Sequence, residues 1–350
     1  MQLPAPLWLR EDGPDSDIVV STRCRIARNV AAFPFPWRAG ELESKQVAES
    51  VRIAAERSGF FRDALVVPGS RVDAETALQL VRWRYASPHW AEGGHSRWLM
   101  LSSDTVLSLL VNEEDHIRLQ SITPGLQVES VLVLAEGTAR AMGSSVAFAE
   151  LPEVGFLTTS LTNAGTGMRV SVLMHLAGLA STTARRLETV LEAARSLGCA
   201  VRGLYGEGTS GTGELFQVSN SYTFGIAPEQ IADRVASAAN YLIEAERTAR
   251  LDQFGGTAGR ERLASAARDI VDALFQIEAP PVQLLKWVST LRLAVAEGLL
   301  PGRLCETAEW VAIAGTEAAV ESSGSRADER FQSISRTSAL RQRLRPLLSA

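Results

Sequence analysis

Cysteine is scarce. Cys24, Cys199 and Cys305 are the only three in 350 residues, too few and too scattered for a disulfide framework or a cysteine zinc site, so a reducing cytosol is the default. No apolar run approaches membrane-spanning length, and residues 1–12 lack a basic region followed by an apolar core, so neither a membrane anchor nor a secretory leader is expected. Positive charge is not in excess either: 35 basic and 40 acidic residues leave a net charge of -5, which gives no overall attraction to nucleic acid or an anionic membrane. Any anion site must therefore be local. His89 and His95 have no second ligand at a recognisable spacing, so no metal site is expected. What remains is an ordinary globular composition, 46% hydrophobic and 21% charged, long enough for one large or two moderate domains. A cytoplasmic protein is expected.

The densest charge lies at 112–118, where Glu113, Glu114 and Asp115 are followed by His116 and Arg118. This stretch comes after an apolar run, 106–111, and before an alternating one, so it is read as lying where strands enter or leave a sheet. If extended, it puts Glu114, His116 and Arg118 on one face and Ile117 and Leu119 on the other. The bland alternative is a solvated acidic turn.

Along the chain, 18–28 reads as a strand with Ser21, Arg23 and Arg25 on one face and Thr22, Cys24 and Ile26 on the other. Two arginines two apart on one face repel unless an anion lies between them; otherwise they mark a solvent-facing edge strand. Helical spacing follows at 42–55, with an irregular helical stretch at 77–83 and a turn at Ser87-Pro88. Runs 98–101 and 106–111 are expected to pair as strands. A helix is expected at 131–144 and a strand at 154–159, leading into a glycine-rich segment, 160–169, that allows backbone amides to approach a phosphate. It lacks the lysine of a P-loop. An amphipathic helix spans 183–197 and stops at Gly198. Residues 201–213 form a second glycine-rich loop, carrying Arg202 and Glu207, of the kind that closes over a substrate. Alternation over 215–224 predicts a half-buried strand with Phe216, Val218, Tyr222 and Phe224 on one face. A helix opens at Pro228 and runs to 250. A composition shift at 253–259 divides residues 1–253 from a helical part, 260–350, with helices at 260–277, 282–300 and 327–348, a break at 322–325 and many arginines in the last helix.

Arg23, Arg25, Arg118, Arg169 and Arg202 all fall in or beside strand and loop ends. Phosphoryl transfer needs positive groups around the phosphate oxygens, and arginine binds oxyanions bidentately. Glu114 and Glu207, each near one of these arginines, suit a cationic acceptor. A guanidinium pairs with a carboxylate in two hydrogen bonds but must lose a proton to become a nucleophile, and a positioned carboxylate accepts it.

These residues resemble the ATP:guanidino phosphotransferases, which include creatine kinase and arginine kinase. The resemblance rests on STRCRIARN at 21–29, NEEDHIRLQ at 112–120, TNAGTGMRVSV at 162–172 and RGLYGEG at 202–208. It implies an α+β fold, an antiparallel β-sheet flanked by helices, followed here by a smaller all-α part. It implies ATP, with Mg2+ carried on the nucleotide. The nucleotide site would comprise Ser21, Thr22, Arg23, Cys24, Arg25, Arg118, Arg169, Val170, Ser171, Val172, Leu173, Arg202, Gly203, Leu204, Tyr205, Gly206 and Glu207. Glu114 would be the principal catalytic carboxylate and Glu207 the second. The layout, with little chain before Ser21 and extra helices at the C-terminus, is similar to the bacterial protein-arginine kinases. That implies arginine-containing protein substrates, a role in protein quality control or stress response with a Clp-type protease system and an activator protein, and a homodimer. The other readings are a kinase for free arginine or another small guanidino compound, and a catalytically silent adaptor. Ser160 stands where the family usually has cysteine, and 332–337 reads QSISRT where protein-arginine kinases carry RDxxRA.

Overall fold

The computed structural model describes residues 3–91, 94, 96–203, 211–321 and 329–345; the side chains of 316–336 are outside the description. In chain order the strands are β1 (Val19–Arg28), β2 (Leu65–Pro68), β3 (Trp98–Leu101), β4 (Leu107–Val111), β5 (Ile117–Pro124), β6 (Glu150–Leu151), β7 (Gly155–Phe156), β8 (Met168–His175), β9 (Cys199–Gly203) and β10 (Leu215–Asn220). The helices are α1 (Glu41–Arg57), α2 (Ala74–Arg82), α3 (Pro88–Ala91), α4 (Val128–Gly143), α5 (Ala177–Ala180), α6 (Ala184–Ser196), α7 (Pro228–Phe254), α8 (Thr257–Gln276), α9 (Pro281–Ala296), α10 (Leu304–Glu321) and α11 (Glu329–Leu344).

The strands form an 8-stranded sheet in the order β2-β3-β4-β5-β1-β8-β10-β9, with every pairing antiparallel. β1 is interior, paired to β5 on one side and β8 on the other. Its arginines are therefore not edge charges. β6 and β7 form a separate two-stranded ribbon, so the strand expected at 154–159 shrinks to Gly155–Phe156.

Side-chain alternation divides the sheet into two faces. One carries Cys24, Ile26, Leu109, Leu119, Val170, Val172 and Val218, all in the apolar core beneath α1, α4, α6 and α7. The other carries the arginines in its middle. Toward one end of that second face, Leu99, Leu110, Ile122, Leu173 and Leu215 share a second apolar core with Leu284, Val288, Leu291 and Leu340 of the C-terminal helices. Gly255 and Gly256 lie at the turn between α7 and α8, and α10 is a helix additional to those expected.

Buried polar anchors bind these layers to the segment before β1. The Glu246 carboxylate, fully buried, accepts from the backbone amides of Gly178 (2.7 Å) and Leu179 (2.8 Å) and from Arg250 Nε (2.7 Å). Arg250 reaches the Asp17 carbonyl at 3.1 Å. Arg292 of α9, 1% exposed, donates to the carbonyls of Ser16 and Leu304. Such buried, hydrogen-bonded charges are costly to disrupt one partner at a time.

Candidate active site

Register aligns the charged side chains. Across β1, Arg23 lies opposite Ile122 and Ser171, Arg25 opposite Gln120 and Arg169, and Ala27 opposite Arg118. Directly opposed residues share a face, so Arg23, Arg25, Arg118 and Arg169 project to the same side. Arg202 of β9 pairs with Gln217 of β10 and extends the row at its outer edge. Such a row of like charges is destabilising unless an anion is present. Arg118 is neutralised by an ion pair with Glu113, and Arg169 donates to Ser219 Oγ at 3.1 Å. Arg23 and Arg25 have no hydrogen-bonded or ion-paired partner among the described residues. Burial, together with Arg25, Arg84, Arg118 and Arg169, holds the Arg23 guanidinium well below its ordinary value. Burial, with Arg118 and Arg169, pushes Arg25 down to about 9. An anion on this face would relieve both effects.

The acidic stretch is neither extended nor a loose solvated turn. Residues 112–116 close the hairpin between β4 and β5: Asn112, at φ +53°, donates its amide to the His116 carbonyl at 3.0 Å, and its side chain bridges the carbonyls of Ser44 and Ser96, each at 2.8 Å. Asp115 is buried, its Oδ1 accepting from Asn29 Nδ2 (2.6 Å) and the Thr159 amide (2.7 Å). Asn29 Oδ1 in turn accepts from the His116 amide at 2.9 Å. His116 does not share a face with Glu114 and Arg118. Its Nδ1 accepts from the Val30 amide at 3.0 Å, which assigns the proton to Nε2, 3.0 Å from the Pro34 carbonyl. Burial favours that neutral form. Three of the residues that looked like surface charge thus have structural duties, and Glu114 alone stays exposed at the tip.

Burial alone would raise the Glu113 carboxyl, but the charge of Arg118, hydrogen bonds from Arg118 and Ser87 and the charge of Arg25 outweigh it and hold it low. Glu114 goes the other way. Partial burial, then the charges of Asp115 and Glu113, raise it above its ordinary value. Its affinity for a proton is therefore greater than that of a free glutamate. Glu114, Arg25, Arg118, Arg169 and Ser160 line one cleft of about 220 Å³. The Ser160 hydroxyl lies 2.8 Å from that of Thr162. The same face continues into a second cleft of about 250 Å³ lined by Arg23, Arg82, Arg84, Arg118 and Gln120.

Residues 47–249 match the family model described as ATP:guanido phosphotransferase, C-terminal catalytic domain. This chain belongs to the ATP:guanido phosphotransferase family. It is similar to the protein-arginine kinase of Halalkalibacterium halodurans, 40% identical over 246 residues that span 69% of this chain and 68% of that protein. It is also similar to the protein-arginine kinase of Desulforamulus reducens, 38% identical over 250 residues, 71% of this chain and 70% of that protein. Among solved structures, the duplicated taurocyamine kinase from Schistosoma mansoni with bound transition state analog components superposes with a TM-score of 0.58 at 26% identity, over 70% of this chain and 36% of that one. Lombricine kinase superposes at 0.57 and 22% identity, over 71% of this chain and 72% of that one, a likeness of fold. An ATP-dependent guanidino phosphotransferase with the expected antiparallel, helix-flanked sheet is therefore what this chain is.

Of the residues expected at the nucleotide site, Ser21, Arg23, Arg25, Arg118, Arg169, Ser171, Leu173 and Arg202 lie on the arginine face. The side chains of Thr22, Cys24, Val170 and Val172 do not. Thr22 donates to the Gly125 carbonyl at 2.6 Å, and the other three are in the opposite core, where burial, together with Glu136, pushes the Cys24 thiol up to about 12. Strand alternation requires this, since they neighbour the arginine-face residues in sequence. Gly203 ends β9, so the second glycine-rich segment begins as paired strand. Leu204, Tyr205, Gly206 and Glu207 lie outside the described residues, as do 322–325 and the side chains of 332–336. Glu113, Asp115, Asn29, Thr159 and Arg84 were not singled out as site residues from the sequence. The first three stand inside the quoted motifs, which was the available signal; Thr159 and Arg84 carry none.

Proposed function

We propose that this protein is a protein-arginine kinase that transfers the γ-phosphoryl group of ATP to the guanidinium of arginine side chains in proteins. The observation that carries this reading is the meeting of Glu114 with Arg25, Arg118 and Arg169 in one cleft, in a chain whose relatives bear that name. A guanidinium nitrogen attacks the γ-phosphorus, the bond to the bridging oxygen breaks with its electron pair leaving on ADP, and the guanidinium proton passes to Glu114. The raised proton affinity of Glu114 suits that acceptance. Arg23, Arg25, Arg118, Arg169 and Arg202 would hold the triphosphate, and Ser21, Ser171, Leu173 and Gly203 lie beside them. The unpartnered, mutually repelled guanidinium groups of Arg23 and Arg25 fit a polyanion. Magnesium on the nucleotide would supply further charge neutralisation. Glu207 is assigned as the second guanidinium-binding carboxylate.

We assign the chemistry to residues 1–253 and read 260–350 as a helical part bracing it. Among the described residues no helix is long and apolar enough to cross a membrane, and the reading places the enzyme in the cytoplasm as a homodimer. Its products would feed a Clp-type protease system in protein quality control or stress response, with an activator protein as a further partner.

The test is to incubate the protein with magnesium-ATP and an unstructured, arginine-containing protein, with free arginine in parallel, and to map phosphosites without acid, which cleaves the phosphorus–nitrogen bond. Phosphate on protein arginines, lost in Glu114→Gln, is the expected result. Transfer to free arginine alone would make it a small-guanidino kinase, and transfer to neither would favour a silent adaptor.

A further inference from the structure

The loop that borders the catalytic cleft and the segment bonded to it display apolar side chains that the fold leaves uncovered: Leu161 is 88% exposed, Tyr222 62% and Phe224 61%. Thr223 ties their two segments together: its one hydroxyl proton is shared between the carbonyls of Thr162 (3.0 Å) and Ala164 (2.8 Å), and the Thr166 amide donates to the Thr223 carbonyl at 2.8 Å. An exposed apolar cluster beside a site is a contact surface more often than chance.

Behind the loop that carries Leu161 lies another cavity, of about 390 Å³, lined by Phe156, Phe224, Glu136, Glu153 and Arg28. Ser160 and Thr162 line the catalytic cleft while Gly165 and Thr166 line this cavity, so one loop is the wall between them. Arg25 lines the first and Arg28 the second. These two side chains leave β1 on opposite faces of the sheet, so it is the loop, not the strand, that joins the cleft to the cavity.

In this cavity the charges of Arg28 and Glu136 offset one another, and the carboxylate left over is that of Glu153. The Arg28 guanidinium lies over the Phe156 ring, 3.5 Å from its centroid, and donates to the carbonyls of Ala27 (2.7 Å) and Thr166 (2.9 Å). Glu153 has no hydrogen-bonded or ion-paired partner among the described residues. An aromatic ring such as Phe224 beside an unpaired carboxylate favours a cation on an apolar stem, such as lysine or arginine.

We propose that this rim and cavity dock the polypeptide flanking the acceptor arginine, with an apolar side chain on Leu161, Tyr222 and Phe224 and a basic one beyond the loop, between Phe224 and Glu153. This rests on the protein-arginine kinase reading. It makes the enzyme selective for exposed segments that are apolar and basic together, a combination that folded surfaces rarely present in extended form.

The test uses the full chain and peptides holding one arginine, flanked on both sides either by lysine and leucine or by serine. Wild type should show a KM about tenfold lower for the lysine–leucine peptide at unchanged kcat. Leu161→Ser with Phe224→Ser should erase that preference, and Glu153→Lys should reverse it toward a glutamate flank, with ATP affinity and circular dichroism unchanged. Equal KM values for both peptides in wild type, or a preference that survives in both variants, would overturn the proposal while leaving the kinase reading intact. So would dissociation of a dimer by the double serine variant with KM unmoved, which would make this face a contact between copies of the chain. Failure of wild type to phosphorylate any peptide or protein would overturn both readings together.

Discussion

Replacing Glu113 with glutamine isolates the electrostatic support of the site. The Glu113 side chain is 3% exposed and that of its partner Arg118 is 25% exposed, so the pair lies between a buried ion pair, whose disruption costs about 3–5 kcal/mol, and an exposed one, worth about 0–1 kcal/mol. Glutamine keeps the volume and one of the two acceptor oxygens, enough for Arg118 or Ser87 but not for both as now placed, so the loss should be about 2 kcal/mol at pH 7. The sign with pH follows from the depressed carboxyl. A group lowered on folding contributes stability above its unfolded value, about 4.3, and loses it as pH falls through the folded value. Urea midpoints at unchanged m should therefore separate wild type from Glu113→Gln at pH 7 and converge below about pH 4. A gap that is the same at pH 7 and pH 3, or absent at pH 7, would refute the assignment of that stability to the ion pair.

Glu114 is raised, so the acid limb of kcat/KM should lie above the value of about 4.3 expected of a free glutamate; a limb at or below it would contradict the base assignment. Arg25→Met should raise the melting temperature without nucleotide, because a repelling charge is removed, yet weaken ATP binding by about tenfold to a hundredfold. Calorimetry and titration check both, and a lower melting temperature would sink the argument. Asn29→Ala removes the link between Asp115 and His116. It should lower kcat more than it raises KM, and steady-state kinetics with unchanged kcat would deny the turn its positioning role.

Much of the arginine face was legible because period-two alternation is a local property. Ser21, Arg23 and Arg25 separate from Thr22, Cys24 and Ile26 by parity alone, and the sheet register agrees. Parity also misled at 215–224. The strand ends at Asn220, whose side chain accepts from the Val170 amide (2.9 Å) and donates to the carbonyls of Met168 (3.2 Å) and Tyr222 (2.9 Å). An amide side chain takes over the backbone's partners there, so Tyr222 and Phe224 alternate without belonging to the ladder. The turn at 112–116 was hidden for a related reason. Asn29, from another strand, satisfies Asp115 and the His116 amide, and such a long-range partner leaves no periodic trace. Nor does spacing say what a stripe meets: Leu284, Val288 and Leu291 are recognisably one face of a helix, but their packing with Ile122 and Leu173 on the sheet depends on the tertiary fold.

The central claim is that the cleft joining Glu114 to the arginine row makes a phosphorus–nitrogen bond on protein arginines. Phosphorus NMR of a running reaction with magnesium-ATP and an arginine-containing protein tests it most directly. The account predicts an acid-labile phosphoramidate resonance that grows as the γ-phosphate of ATP declines, in wild type but not in Glu114→Gln. Growth of inorganic phosphate or an acid-stable phosphoester in its place, or the same phosphoramidate signal from the glutamine variant, would contradict it.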